Sequence, residues 1–146
     1  MRFFLIYWLP VLVWMAIIFV LSTSWFSMAQ TAQFVEPLLR RLFPRLKAEG
    51  LSLAHVRFRE SAHFGEYLVL GMLVFHAIRG DSDQSWRPRW MLASSLWTVG
   101  YAVLDELHQR WERGRTPKLR HVLIDAAGGC ASQLLIFVCI GGREHA

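Results

Sequence analysis

Four stretches of this chain are apolar enough and long enough to cross a bilayer: residues 3–22, 59–78, 90–107 and 121–140. About 20 predominantly apolar residues are needed for a helix to span the hydrocarbon. The stretches lack the alternation of barrel strands, and hydrocarbon offers backbone polar groups no outside partner, so each one predicts a helix. Four helices joined by polar connections such as Gly80-Asp81-Ser82-Asp83 predict an up-down bundle with both termini on one side. Trp25, Trp86, Trp90 and Trp111 fall near stretch ends, where amphipathic rings favour the interface.

Between the first two stretches the pattern changes. Phe34, Val35, Leu38, Leu39, Leu42, Phe43 and Leu46 recur at helical spacing with Arg40, Arg41, Arg45 and Lys47 interleaved, which predicts an amphipathic helix on the membrane surface. A short soluble hairpin packed on the bundle is the plainer alternative. The first stretch could also be read as a signal peptide, with Arg2 before it and Ser27-Met28-Ala29 as a cleavage-like site. Its apolar run exceeds the 7 to 15 residues of a signal core, and Trp8, Pro10 and Trp14 are unusual inside one. An uncleaved helix is the expectation. The fold class is therefore all-α, a polytopic membrane protein of four transmembrane helices in an up-down bundle plus an interfacial amphipathic helix, in a single domain over residues 1–146.

Composition agrees: 54% of the residues are hydrophobic, above the usual share for a soluble domain. The net charge of +5 does not point to nucleic acid, because the basic residues lie between apolar stretches, where anionic headgroups or phosphates meet them. Cys130 and Cys139 share one stretch; a helix separates them by roughly 13 Å, too far for a disulfide. No cysteine pattern has zinc-ligand spacing.

In an up-down bundle every second helix end shares a side, and the unusual polar residues sort accordingly. Ser22, Thr23 and Ser24 close the first stretch, and Arg59, His63 and Tyr67 open the second. Asp105, Glu106, His108 and Gln109 close the third, and His121 and Asp125 open the fourth. Arg59, His63 and Tyr67 stand at i, i+4, i+8; Tyr101, Asp105 and His108 at i, i+4, i+7; each trio shares a helix face. Asp125 is followed by Ala-Ala-Gly-Gly-Cys-Ala-Ser, small residues that permit close helix approach. Glu106 is turned about 100° from Asp105 and is expected to pair with Arg110.

A polar pocket at one end of the bundle follows, with chemistry to match. Arg59 and Arg115 suit an anionic group, since guanidinium grips phosphate in fixed fork geometry. His63, Asp105, His108 and Asp125 are the catalytic candidates, as acid/base or nucleophile and its orienting carboxylate; Tyr67, Tyr101 and Gln109 complete the binding set. A metal site built from Asp105 and His108 at i, i+3, completed by His63 or Asp125, is a variant, but no cofactor or metal is expected. A pocket open at the interface suits membrane lipids, a polyprenyl phosphate or a phospholipid headgroup. The plain reading is a polar network that holds four helices in register. His55, His76 and His145 look incidental, and no polar stripe crosses the full depth as a transporter would need.

Arg59-x-x-x-His63-Phe64-x-x-Tyr67, Tyr101-x-x-x-Asp105-Glu106-x-His108-Gln109, Gly114-Arg115-Thr116 and Asp125-x-x-Gly128 together resemble the VanZ-like family of small membrane proteins, over about residues 59–129. Ser22 to Ser24 stand where that family carries a short Ser-rich motif. His121 departs from it, occupying a position where an Asp is common. The resemblance implies a place in the bacterial cell envelope and its inner membrane, a lipid-linked envelope precursor as partner, and an association with resistance to teicoplanin-type glycopeptides. It also implies a cytoplasmic amino terminus and an outward-facing pocket. The Lys and Arg count runs the other way, with eleven on the pocket side against five, which by the positive-inside rule puts the pocket in the cytoplasm. An enzyme and a non-catalytic binding or shielding protein both stay open.

Overall fold

The computed structural model describes residues 1–111 and 119–141. Among them every regular element is helical. A π-wound turn over Phe4–Trp8 leads into α1 (Leu9–Leu21); a 3-10 turn over Ser24–Phe26 precedes α2 (Met28–Leu42); then come α3 (Ala48–Arg79), α4 (Pro88–Gln109) and α5 (Leu119–Cys139).

Prolines set several boundaries. Pro10 has no N–H and its ring crowds the carbonyl four residues back, so the turn before it widens and Leu9 N–H bonds to the Phe4 carbonyl instead. Pro44 drives Phe43 out of helical conformation, to φ −130°, ψ 67°. The amphipathic pattern expected to run to Leu46 is therefore broken: α2 stops at Leu42 but starts as early as Met28. α3 begins well before Arg59, and its 32 residues make about 48 Å of helix. Gly80, at φ 55°, ends it in a conformation that only glycine takes without strain. Pro88 opens α4, where a missing N–H costs nothing.

Three helices among the described residues are long and apolar enough to cross a membrane: Phe4–Leu21, α3 and α5. On composition, four were expected. α4 falls short because it carries Arg89, Asp105 and Glu106 with Ser94, Ser95 and Thr98. Its polarity is arranged inside out. Ser94, Thr98, Ala102, Asp105, Glu106 and Gln109 are buried, while Leu92, Leu96, Val103 and Leu104 are exposed.

α3 is the centre, packing against α1, α2, α4 and α5, while α4 and α5 also pack on each other. Val11 and Ile18 from α1, Tyr67, Leu70, Val74 and Ala77 from α3 and Ala102 from α4 form the apolar core. The closest meeting of two backbones is at Gly128 on α5, where a Cβ would run into the Phe64 carbonyl of α3; small residues let backbones meet this way. One turn further on, Gln133 Nε2 donates to the Gly71 carbonyl at 3.1 Å and Ser94 Oγ at 3.0 Å, and Ser94 Oγ donates to that same carbonyl at 3.0 Å. These bonds tie α3, α4 and α5 together at mid-depth. α2 lies along the N-terminal part of α3 and leaves Phe34, Leu38 and Leu42 exposed, one turn apart on one stripe. Cys130 and Cys139 are free and exposed.

Candidate functional site

α1 and α4 run into one end of the bundle, and α3 and α5 cross that end on their way in. α1 and α4 therefore run parallel, as do α3 and α5, while α3 and α5 run antiparallel to α4, and the polar residues meet as their positions require. The face of α4 bearing Tyr101, Asp105 and His108 looks at α1 throughout. Tyr101 donates its hydroxyl to the Met15 carbonyl at 2.7 Å, and His108 stacks on Phe19 with centroids 4.2 Å apart. Between them Ser22 Oγ donates to Asp105 Oδ2 at 2.7 Å, and Gln109 Nε2 donates to the same oxygen at 2.9 Å. All three side chains are buried.

A second group forms where α5 meets α3 and α4. His63 Nδ1 lies 3.3 Å from Asp125 Oδ1, and His121 Nδ1 lies 3.7 Å from Glu106 Oε2. The two imidazoles stack on each other, 5.6 Å between centroids and 11° from parallel. Two acid–imidazole pairs are thereby joined ring to ring across three helices. Glu106, expected to reach Arg110, turns inward instead, because α5 packs on that side of α4 and brings His121 to it.

Tyr67 sits one turn below His63 with 0% exposure, its ring 6.3 Å from that of Tyr101. Its hydroxyl meets no hydrogen-bond partner among the described residues, nor do Asp105 Oδ1 and Gln109 Oε1. Unpartnered buried polar atoms are uncommon and need an occupant or a reason.

The third group is on the α2 side. Arg59 Nη1 donates to the Phe26 carbonyl at 2.7 Å and to Thr31 Oγ1 at 3.2 Å, and Thr31 Oγ1 lies 3.1 Å from His55 Nε2. Arg59, expected to meet an anion, thus also ties α2 to α3. Beneath α2 is a cavity of about 160 Å³ lined by Leu21, Phe26 and Val35 on one side and by His55, Arg59, His63 and Glu66 on the other. On the outer rim of the same end, Glu60 pairs with Arg120 at 2.6 Å and Arg57 at 3.3 Å.

A sequence model of the VanZ/LLP1 family matches residues 4–140. The chain belongs to the VanZ/LLP1 family. No curated protein and no solved structure matches it. The family match takes in nearly the whole chain, including α1 and α2, which the motifs between residues 59 and 129 do not reach.

Of the VanZ motif residues, Arg59, His63, Tyr67, Tyr101, Asp105, His108, Gln109 and Asp125 all come to one end of the bundle. Arg115, with Gly114 and Thr116, lies outside the described residues. Asp105 and His108, the i, i+3 pair considered for a metal, part company toward Ser22 and Phe19, and among the described residues no three of His, Cys, Asp and Glu converge for an ion.

Two residues of this VanZ site escape sequence reasoning. His55, set aside as incidental, is 1% exposed and bonded to α2, and Glu66 lines the cavity. The signal was present: His55 stands at i−4 from Arg59, and Glu66 at i+7, on the face already defined by Arg59 and His63.

Proposed function

We propose that this VanZ/LLP1 protein spans the bacterial cytoplasmic membrane with four helices and binds the anionic headgroup of a lipid-linked envelope phosphate at the polar end of the bundle. The membrane reading of α4 rests on its inverted pattern. Leu92, Leu96 and Leu104 are each more than 60% exposed, a face that belongs in hydrocarbon, while its hydrogen-bonding side chains look inward as polar residues of spanning helices do.

The observation that carries the headgroup is the contrast between two buried polar layers. The Gln133, Ser94 and Gly71 layer at mid-depth is tied across three helices by direct hydrogen bonds and leaves one buried atom, Gln133 Oε1, without a partner among the described residues, close to what a register clamp requires. The upper layer leaves Tyr67 Oη, Asp105 Oδ1 and Gln109 Oε1 unpartnered among the described residues, beside two acid–imidazole pairs. A half-satisfied network is a poor clamp and a good receptor. His63 and His121 hold or move a proton, Asp125 and Glu106 orient them, and Arg115, by its place in the motif, is the guanidinium offered to the phosphate. His121 takes the position of the common family Asp and keeps a carboxylate in reach through Glu106.

A non-catalytic holder of the same lipid is the second reading. It is favoured by Ser22, whose buried hydroxyl bonds to Asp105 rather than to an imidazole and so lacks the arrangement of an activated nucleophile. In either form the protein acts on the envelope, and the link to teicoplanin-type resistance follows the family. Mass spectrometry of lipids that copurify with the wild type, with His63→Ala and with Asp125→Asn tests the reading. A phosphate-bearing lipid retained by the wild type and lost from both variants is expected; identical lipid profiles would overturn it.

A further inference from the structure

The cavity under α2 differs in character from the polar layer beside it. Its inner wall carries His63, which also faces Asp125, so the cavity and the acid–imidazole pair share one side chain. Its apolar lining is Leu21 at the end of α1, Phe26 in the 3-10 turn, Val35 on α2 and Phe58 and Ala62 on α3, beside the polar Thr31, His55, Arg59 and Glu66. Phe58 and Ala62 are one turn apart and exposed, with Phe58 at 56%, so the cavity opens sideways between α2 and α3 rather than along the bundle axis. Apolar walls make it unwelcoming to water and suited to a short run of hydrocarbon.

The depth fits as well. α2 presents Phe34, Leu38 and Leu42 outward, away from α3, which seats it at the boundary between headgroups and acyl chains. A cavity roofed by such a helix opens at that same level. Its cationic and imidazole groups, Arg59 and His55, stand at the end nearer the water, and Thr31 ties them to the roof.

Resting on the headgroup reading above, we infer that this cavity is a lateral slot that takes the first hydrocarbon segment of an anionic membrane amphiphile, an alkyl or prenyl phosphate, with the chain under α2 and the phosphate delivered toward His63. The ligand class is set by the combination: an anion next to Arg59 and His55, and a chain against Leu21, Phe26 and Val35. α2 is then the roof of the binding site as well as a membrane anchor.

Photolabelling tests this on the full-length protein reconstituted in phosphatidylcholine vesicles, with a diazirine-bearing dodecyl phosphate as the probe. Labelled peptides are expected to contain Val35 and Phe58. Val35→Trp and Ala62→Trp, which fill the slot from opposite walls, should each cut that labelling about tenfold, since losing burial of two methylenes is worth that factor. Leu92→Trp, on the outer face of α4, should leave it unchanged. Monodispersity on a sizing column separates slot filling from misfolding, and two variants on different helices guard against the failure of one.

Unlabelled dodecyl phosphate should compete, while dodecanol should compete far less and inorganic phosphate not at all. Label spread evenly over the outer faces of α4 and α5, or unchanged in both folded Trp variants, would overturn the slot. So would competition by dodecanol or inorganic phosphate equal to that of dodecyl phosphate. The slot and the site fail separately: Asp125→Asn should keep the slot labelling even as it abolishes retention of the native lipid.

Discussion

His63 and His121 lie face to face, 11° from parallel, and each has a carboxylate of its own: Asp125 on α5 for the first and Glu106 on α4 for the second. One imidazole comes from α3 and the other from α5, so a single stacked pair reports on the packing of three helices. Breaking one half exposes the other. Asp125→Ala leaves the half-buried His63 without its acid, and losing one partner of such a polar pair costs about 1 to 3 kcal/mol. Thermal unfolding in a mild detergent should show that loss. The double variant His63→Ala, Asp125→Ala should lose less than the sum of the single changes, with a coupling of about 0.5 to 3 kcal/mol. Strict additivity would mean the pair does not interact.

Gly128 sets how closely α5 approaches α3, because a side-chain carbon there meets the Phe64 carbonyl. Gly128→Ala should sharply reduce the yield of monodisperse protein. Gly100→Ala is the matched control: its added carbon has nothing within 4 Å, and alanine favours the helix by roughly 0.5 to 1 kcal/mol. Gly100→Ala should be as stable as the wild type or slightly more so.

The Gln133 layer should behave as a clamp and nothing else. Gln133→Leu removes the bonds to Gly71 and Ser94, and side-chain hydrogen bonds between spanning helices are worth about 0.6 kcal/mol on average and at most about 1.7. Unfolding should shift by that small amount while retention of a copurifying lipid stays intact. Loss of the lipid with an unchanged unfolding transition would move Gln133 into the binding site.

The membrane position of α4 can be read by thiol chemistry. With Cys130 and Cys139 replaced by Ala, Leu96→Cys should resist a membrane-impermeant maleimide in intact cells and in inverted vesicles alike. Ser24→Cys should react from one side only, which also fixes the side on which the polar end lies. Equal, rapid labelling of both positions would take α4 out of the bilayer.

Much of this arrangement is legible from spacing alone. The trios Arg59, His63, Tyr67 and Tyr101, Asp105, His108 each declare a face, and the up-down order of the stretches predicts that those faces meet. Which partner each residue takes is not legible, since it depends on how neighbouring helices are rotated. Glu106 illustrates this: its nearest charge in sequence is Arg110, but burial against α5 gives it His121. His55 is not legible because it stands outside the apolar stretch, and nothing in the hydropathy pattern shows that α3 continues past Arg59 to receive α2. The start of α2 is hidden for a related reason. Helical periodicity signals α2 only from Phe34, whereas its first turns are polar and packed against α3 through Thr31.

The gap of 3.3 Å between His63 and Asp125 is inherited from a carbon that is absent. Gly128 stands one turn along α5 from Asp125, and Phe64 adjoins His63 on α3, so the glycine contact and the acid–imidazole pair are neighbours on the same seam. The spacing of the pair is gauged by backbone approach rather than by the reach of flexible side chains. A methyl group at residue 128, which touches no ionisable atom, would therefore part the imidazole from its carboxylate as a wedge acts on a hinge.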